Sequence, residues 1–257
     1  MDFTLSTYKS LINSLKDNNY KFFTVEEYFS LIVCSSLDCP LVILRHDIDR
    51  TPENALKMAK LEHELGLKAT FYFRTIPQTF KPEIIKEIDD LGHEIGYHYE
   101  NMARCNGNYE MAIEDFRNNL DKLREISPVY TICMHGSPLS QYDNRDLWKV
   151  YDYRDYGIIG EPYLNIDWDE VFYITDAGRA WNNENVSIRD KVDSNIKIDI
   201  NSTIDIIKKS KSSEMPYQIM LNVHPHNWAN NNAEWLKIFA WQGTKNIIKR
   251  VISNRHK

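Results

Sequence analysis

From residue 41 onward, short apolar runs alternate with stretches whose apolar residues recur at helical spacing. Residues 41–44 predict a buried strand, and Leu56, Ala59, Leu61 and Leu65 then line one face of a predicted helix. Thr51 and Pro52 fit the start of that helix, and Gly66 fits its end. Alternation of this kind is typical of βα units around a mostly parallel sheet. The pattern therefore predicts an α/β fold, a distorted (β/α) barrel of about seven parallel strands.

The same reading gives the remaining elements. Further strands are predicted at residues 69–74, 93–98, 130–134, 157–161, 171–175 and 218–223, and further helices at 82–91, 109–126, 145–151, 202–210 and 233–252. Residues 1–40 have a different pattern, with a helix carrying Leu5 to Leu15 and a short helix opened by Thr24. We expect an N-terminal helical cap at 1–40 and the barrel at 41–257.

Side chains capable of chemistry stand where the predicted strands end. In chain order these are Asp47, Asp49, Arg74, His98, His135, Glu161, Asp176 and His224. In a βα barrel the loops that follow the strands carry the active site. A functional cluster at this end of the barrel is therefore predicted.

Asp47 and Asp49 are two positions apart, so both carboxylates point to one side of an extended strand while His46 and Ile48 point to the other. Two neighbouring carboxylates repel each other, and a divalent metal relieves that repulsion best. The alternative is a pair of aspartates that cap the helix after Thr51.

Among the histidines, His98 is the best candidate for a metal ligand, because imidazole with carboxylate suits zinc and similar transition metals. His135 lies in a turn rich in Gly, Ser and Pro, which can aim one side chain inward. His224 begins the last loop and could donate a proton. His93 stands at the other end of the His98 strand, roughly 16 Å away, and is interpreted as structural. His63 is expected on the surface.

Composition limits the classes of partner. The chain has 42% hydrophobic and 26% charged residues, as in an ordinary globular protein, and a formal net charge of −6. We expect no nucleic acid or anionic membrane partner, because these need a concentrated basic surface; the basic runs 208–211 and 249–257 are interpreted as helix ends. The four cysteines form no CxxC pair, and residues 1–8 resemble no signal segment. No membrane insertion and a cytoplasmic location are therefore expected.

Three segments resemble motifs of the polysaccharide deacetylases, the NodB-homology superfamily of carbohydrate esterases. Residues 44–49, Leu-Arg-His-Asp-Ile-Asp, resemble the first motif, in which a strand ends in two adjacent aspartates. Residues 92–98, Gly-His-Glu-Ile-Gly-Tyr-His, match the family's Gly-His-Glu-Ile-Gly-x-His, and residues 221–225 match its closing Leu-x-x-His-Pro. In this order and at these spacings, the three segments extend over most of the predicted barrel.

The resemblance implies a function and a set of roles. Asp47 would be the catalytic base, Asp49 and His98 metal ligands, and His224 the general acid. The reaction would be removal of an N-acyl group, such as acetyl, from an amino sugar or sugar precursor by metal-activated water. The cofactor would be one divalent transition metal, with zinc favoured. Asp-Ile-Asp in place of adjacent aspartates leaves an exchange of roles between Asp47 and Asp49 open.

The sequence departs from the family at the third ligand. The family has a second histidine four residues after the first, but Met102 stands there, and a thioether is a poor ligand for such a dication. His135 is the replacement predicted, and Glu100 is the alternative.

Substrate contacts are predicted for Arg74, Glu100, Asp176, Arg179 and Trp181, with a small molecule or an oligosaccharide as the partner. Arg179 and Trp181 could hold an anionic sugar, or could equally form a salt bridge and a core contact. Two other functions stay open: a metal-dependent amidohydrolase acting on a non-sugar substrate, and a catalytically silent carbohydrate-binding relative.

Overall fold

A single parallel sheet organises the molecule. The computed structural model describes residues 1–32, 39–182 and 191–240. Its strands are β1 (Lys21–Phe23), β2 (Leu41–Ile48), β3 (Thr70–Phe73), β4 (Glu94–Tyr99), β5 (Ile132–Met134), β6 (Phe172–Thr175) and β7 (Gln218–Val223). The order across the sheet is β5-β4-β3-β2-β7-β6, with β1 beside the first half of β2, and all pairs are parallel.

Helices connect the strands. The α-helices are α1 (Leu5–Asp17), α2 (Val25–Ile32), α3 (Pro52–Glu64), α4 (Pro82–Asp90), α5 (Asn101–Arg104), α6 (Tyr109–Arg124), α7 (Pro162–Asn165) and α8 (Thr203–Lys211). Short 3-10 helices cover Asn144–Lys149, Tyr153–Tyr156, Ala177–Arg179 and Pro225–Asn227. Residues 232–240 are also helical. Proline opens α3 and α4, and Gly66 and Gly92, both with positive φ, follow their last turns.

Both faces of the sheet are buried. All eight positions of β2 are buried, as expected for a parallel sheet covered on two sides. Val42 and Leu44 belong to the large core between the sheet and the outer helices, whereas Leu41 and Ile43 belong to a second core on the inner side with Tyr72. The period of two along β2 thus sends alternate side chains into two cores, and the predicted distorted (β/α) barrel is confirmed.

Seven strands are present in the described part of the chain, but they are not the seven predicted. The predicted strand at 157–161 is reduced to one isolated bridge between Thr131 and Gly160, and Gly157 has positive φ. The seventh strand is β1, which the sequence reading missed. The predicted helix at 145–151 is a 3-10 helix over Asn144–Lys149.

The sequence predicts a helix start at Thr51 and a helix end at residues 208–211. Thr51 is the N-cap residue of α3 and Pro52 its first residue, as predicted, but Thr51 has a left-handed backbone and makes no capping hydrogen bond with its side chain. Lys208 and Lys211 do lie in the last turn of α8. The end of the predicted helix at 233–252, the basic run 249–257 and Cys34 lie outside the described residues. The division of the chain at residue 40 stays a prediction.

A search of the described helices for one long and apolar enough to cross a bilayer finds none.

Candidate active site at the carboxyl ends of the strands

The predicted strand-end residues come together at one edge of the sheet. Because all strands run parallel, the loops after β2, β4, β5 and β7 leave the sheet on the same side. Asp49 from the first loop lies within 3.6 Å of the His98 imidazole and 3.4 Å of the His135 imidazole. His224 approaches from the other side, with Nε2 3.9 Å from Asp47 Oδ2.

Asp47 is held by neighbouring side chains through both of its carboxylate oxygens. Arg45, fully buried on the same strand, donates from Nε to Oδ1 at 2.9 Å and from Nη2 to Oδ2 at 2.7 Å. Asn222 on β7 donates to Oδ2 at 3.1 Å. Burial by itself would raise the pKa of Asp47, but the charge and hydrogen bonds of Arg45, together with His98, hold it well below its usual range. The carboxylate is therefore ionised and fixed in orientation.

Asp49 differs from Asp47 in having an oxygen that no protein group satisfies. Its Oδ1 is buried and has no hydrogen-bond partner, although Nε2 of His98 and Nε2 of His135 face it at 3.6 and 3.4 Å. A buried carboxylate oxygen without a partner is costly. Burial would raise the pKa of Asp49, but the facing imidazoles of His135 and His98, with His224, keep it well below its ordinary value.

The hydrogen bonds of the two imidazoles determine which nitrogen faces Asp49. His98 Nδ1 lies 2.9 Å from the main-chain oxygen of Cys133, and His135 Nδ1 lies 3.1 Å from Glu100 Oε2. Carbonyl and carboxylate oxygens only accept, so Nδ1 is the donor in both rings. Without a hydrogen on Nε2, each ring would present a lone pair to a metal beside Asp49, as a metal-ligating histidine does.

His224 is anchored from behind. Asp176, fully buried, accepts from the His224 main-chain N–H at 2.9 Å and from its Nδ1 at 2.7 Å, while Trp228 Nε1 donates to the other oxygen at 2.7 Å. Burial lowers the pKa of His224, but Asp176, then Asp49 and Asp47, raise it to about 10. His224 is thus an imidazolium with Nε2 pointing to Asp47. These contacts favour a role for Asp176 in holding His224 over the predicted contact with substrate.

Arg74 and Glu100 pair with each other. Arg74 donates to both Glu100 oxygens, with Nη2 at 2.7 Å from Oε2 and Nε at 3.1 Å from Oε1. Against burial, the hydrogen bonds of His135 and Arg74 lower the pKa of Glu100 to about 2. This pairing places Glu100 behind His135, and the predicted contact of either residue with a substrate stays a prediction.

The predicted substrate contacts at Arg179 and Trp181 lie in a different environment. Trp181 is buried, stacks on Phe3 and donates from Nε1 to Thr203 at 3.1 Å. The Arg179 guanidinium lies over the rings of Phe3 and Trp235, 5.6 and 4.7 Å from their centroids. For Trp181 this arrangement favours the core contact that the sequence left as the alternative.

The residues present fit a divalent metal. The unsatisfied Asp49 oxygen and the two facing Nε2 atoms supply the carboxylate and imidazole donors that zinc and related ions take. Met102 is buried in the core, so it replaces the family histidine with an apolar contact. Among the described residues, a different set, Asp47, His98 and Cys133, is the one whose ligand atoms all lie within 4.8 Å of one another. We favour the set with Asp49, because Arg45 occupies both oxygens of Asp47 and its positive charge opposes a dication.

The sequence reading missed the residues that hold the predicted ones in place. Arg45 and Asn222 both carry a signal: each is a polar residue inside an apolar strand, and Arg45 is on the same side of β2 as Asp47. Trp228, which donates a hydrogen bond to Asp176, carries no such signal. The sequence around a tryptophan does not show whether its ring only packs or whether its Nε1 also donates a hydrogen bond.

No model of a known protein family matches the chain. No curated protein matches it either. Solved structures do match: a CE4 family pseudoenzyme from Bacillus anthracis (14% identity, 83% of this chain and 63% of that chain, TM-score 0.46) and a CE4 esterase from Streptococcus mutans (13%, 85% and 84%, 0.46). A third is a family 4 carbohydrate esterase from Streptomyces lividans in complex with acetate (15%, 81% and 91%, 0.44).

The match to the pseudoenzyme spans slightly less than two thirds of that protein's length. These solved structures are carbohydrate esterases and related inactive proteins, the group whose motifs the sequence resembles. At these identities and TM-scores the likeness is one of distant fold, and the function has to follow from the residues themselves.

Proposed function

We propose that the chain is a metal-dependent hydrolase of the polysaccharide deacetylase type, which removes an N-acyl group from an amino sugar or sugar precursor. The observation that carries the proposal is the buried Asp49 oxygen without a hydrogen-bond partner, faced by Nε2 of His98 and His135. Three converging donors of these kinds are a transition-metal ligand set. The amino-sugar substrate follows from the motif resemblance alone.

Asp49, His98 and His135 would hold the metal. A bound divalent metal lowers the pKa of water and polarises a carbonyl oxygen, which is the chemistry that amide hydrolysis needs. Zinc is the ion that this donor set favours. Because Asp47 is occupied by Arg45 and Asn222, the geometry supports Asp49 as the ligand and leaves Asp47 outside the ligand set.

Asp47 and His224 would handle the protons. The motif resemblance assigns the base to Asp47, and Arg45 keeps its carboxylate ionised, which that role requires. His224 is protonated and held by Asp176, and its Nε2 lies 3.9 Å from Asp47, so a leaving amine placed between them would meet a proton donor. The proposed base and acid thus lie 3.9 Å from each other.

Elemental analysis of protein purified without chelator tests the metal. We expect about one equivalent of transition metal in the wild type, and its loss in Asp49→Ala and His98→Ala. The matched control is His63→Ala, which removes an exposed histidine on α3. Absence of metal from the wild type even after incubation with zinc would contradict the proposal and favour a silent carbohydrate-binding protein.

Substrate class is tested next. Acetate release from N-acetylated sugars and sugar nucleotides, in the metal-loaded wild type but not in Asp47→Asn, is the expected result. Release of acyl groups from non-sugar amides only would identify the alternative, an amidohydrolase.

A further inference from the structure

The contact between Glu100 and His135 assigns a role to a pair of residues that no motif covers. We infer that Glu100 and Arg74 are positioning residues, which fix the imidazole of His135 as the third metal ligand in place of a family histidine. The inference rests on the proposed metal site. It replaces the predicted contacts of Arg74 and Glu100 with substrate.

Glu100 determines which nitrogen of the His135 ring carries the hydrogen. Glu100 Oε2 lies 3.1 Å from Nδ1, and an ionised carboxylate has no hydrogen to donate. Nδ1 therefore carries the hydrogen, and Nε2 faces Asp49 at 3.4 Å. Ser137 Oγ is also 3.1 Å from Nδ1, and Asn144 donates to the His135 main-chain oxygen at 2.7 Å. The contacts of Glu100 and Ser137 fix the orientation of the ring, and that of Asn144 holds its main chain.

Arg74 holds the Glu100 carboxylate in place. Its guanidinium donates to both carboxylate oxygens, and its Nη1 reaches the main-chain oxygen of Asp49 at 3.4 Å. A closed ring of contacts results, from the Asp49 main chain through Arg74, Glu100 and His135 back to the Asp49 carboxylate. Arg74, acting through Glu100, therefore connects the loop that carries Asp49 to the loop that carries His135.

We infer that Glu100 is not itself a metal ligand. Both of its oxygens are taken by Arg74, and the positive charge of the guanidinium offsets the charge that would attract a dication. His135 needs outside support because it lies on a loop, and Ser137 two residues later has a positive φ of 40°. Partners behind a metal-ligating histidine typically account for about 10–100-fold of metal affinity.

The test measures Co²⁺ affinity by competition with a chelator and records the visible absorption of the Co²⁺ protein. We expect Glu100→Ala to weaken binding by about 10–100-fold. Glu100→Gln should lose less, because its amide oxygen can still accept from Nδ1, and Arg74→Lys should fall between them, because it keeps the charge without the two-pronged contact. His135→Ala should lose more than any of these. The Glu100→Gln spectrum should keep the wild-type band shape, since the ligand atoms are unchanged.

Each control separates one outcome. Glu83→Gln, an exposed glutamate on α4, should bind Co²⁺ as the wild type does. If the wild type binds and Glu100→Ala binds equally tightly, the positioning role is wrong while the metal site stands. If Glu100→Gln changes the band shape and His135→Ala does not, Glu100 is the ligand and the inference is overturned. Failure of the wild type to bind Co²⁺ overturns the proposed function as well. Should Glu100→Ala not fold, Glu100→Gln and Arg74→Lys still decide.

Discussion

Strand β2 separates two clusters in which histidines surround a carboxylate. On its outer side the outer cluster, defined as Tyr8, His46, Glu62 and His93, is sealed between the sheet and the helices, and all four residues are buried. On its inner side and at its carboxyl end lies the mouth cluster, defined as Asp49, His98 and His135. The residue types are alike, but His46 and His93 face different oxygens of Glu62, whereas His98 and His135 face the same oxygen of Asp49.

In the outer cluster, protein groups occupy both ring nitrogens of His93, whereas Nδ1 of His46 and Oε2 of Glu62 are buried without a hydrogen-bond partner. His93 Nδ1 accepts from the Ala69 main-chain N–H at 3.2 Å, so its Nε2 must donate, to the Ala59 oxygen at 3.0 Å. Glu62 accepts from Tyr8 and lies 2.8 Å from His46 Nε2 through the same oxygen. Burial would raise the pKa of Glu62, but His46 lowers it below its usual value.

In the mouth cluster, main-chain and carboxylate acceptors take Nδ1 of both rings and leave Nε2 toward the unsatisfied Asp49 oxygen. The main-chain N–H donor of Ala69 commits both nitrogens of His93 to structure, whereas acceptors at Nδ1 of His98 and His135 leave both Nε2 atoms facing the same oxygen of Asp49. The two clusters thus differ in whether two ring nitrogens converge on one carboxylate oxygen.

The largest expected effect comes from removing the centre of the outer cluster. Glu62→Ala leaves Tyr8 and His46 without their buried partner, and should lower the free energy of unfolding by about 3–5 kcal/mol. Urea denaturation with chelator present measures it. The matched control is Glu64→Ala, exposed on the same helix, which should change stability by less than about 0.5 kcal/mol. A loss below 1 kcal/mol for Glu62→Ala would show that the cluster is not a stabilising centre.

The corresponding change in the mouth cluster should reverse the pattern. Asp49→Asn removes the negative oxygen that faces two imidazoles, and should weaken metal binding by more than about 100-fold, beyond the range of supporting residues. Compared without metal, Asp49→Asn should lose less stability than Glu62→Ala, because the oxygen makes no hydrogen bond and only its attraction to the facing imidazoles is lost. Chelator competition and urea denaturation of the same samples test both halves. A large loss of stability with intact metal binding would remove the distinction between the clusters.

The sequence could predict where the mouth cluster lies but not how its members pair. Hydrophobic alternation locates six of the strands, and parallel strands bring their ends together whatever the side chains do. The strand at 157–161 failed because Gly157, with its positive φ, belongs to the end of the preceding 3-10 helix and leaves only two apolar residues before Gly160. Strand β1 was missed because three residues show no period. Register and alternation set which side of the sheet a residue faces.

Pairing depends on partners far apart in the chain, which local patterns do not specify. Arg74 meets Glu100 across 26 positions, and Asn222 meets Asp47 across 175. The Trp181 ring stacks in the core on Phe3, a residue near the start of the chain. Roles that depend on such contacts, unlike the positions themselves, need the structure.

A third buried carboxylate tests whether imidazole neighbours explain the low pKa values in both clusters. Glu94, at the amino end of β4, accepts only from neutral groups: the hydroxyls of Thr70 and Thr131 and the main-chain N–H of Glu26. Burial raises its pKa to about 7, from 4.5. The folded protein therefore holds this proton more tightly than the unfolded chain, and its contribution to stability is lost as pH rises from about 4.5 through 7.

Glu94→Gln should remove that loss. Relative to the wild type, the variant should gain on the order of 2 kcal/mol in free energy of unfolding between pH 5 and pH 8. Urea denaturation at each pH, with chelator present, measures the free energy of unfolding of both proteins. Taking the difference between the two proteins cancels the titration of the groups that they share. Glu83→Gln, exposed on α4, should follow the wild-type curve. Parallel curves for Glu94→Gln and the wild type would mean that Glu94 is already ionised in the folded protein.

The smallest expected effect lies where the two regions meet, at Trp228. Its ring packs against Tyr8 of the outer cluster at 5.3 Å between centroids, while its Nε1 donates to Asp176, which holds His224. Trp228→Phe keeps a ring and removes that hydrogen bond, so His224 should be less well oriented. We expect kcat to fall about tenfold with KM nearly unchanged, equivalent to about 1.4 kcal/mol.

The matched control for Trp228→Phe is Trp181→Phe, which also loses one buried indole hydrogen bond, but to Thr203 rather than to Asp176. Steady-state kinetics on the substrate found by acetate release should separate the two variants, while urea denaturation should find similar losses of stability. If kcat falls equally in both, the effect of Trp228 on His224 is one of general packing. If kcat falls only in Trp228→Phe, the hydrogen bond from Trp228 to Asp176 orients His224. A residue packed against the outer cluster then contributes to the reaction at the carboxyl ends of the strands.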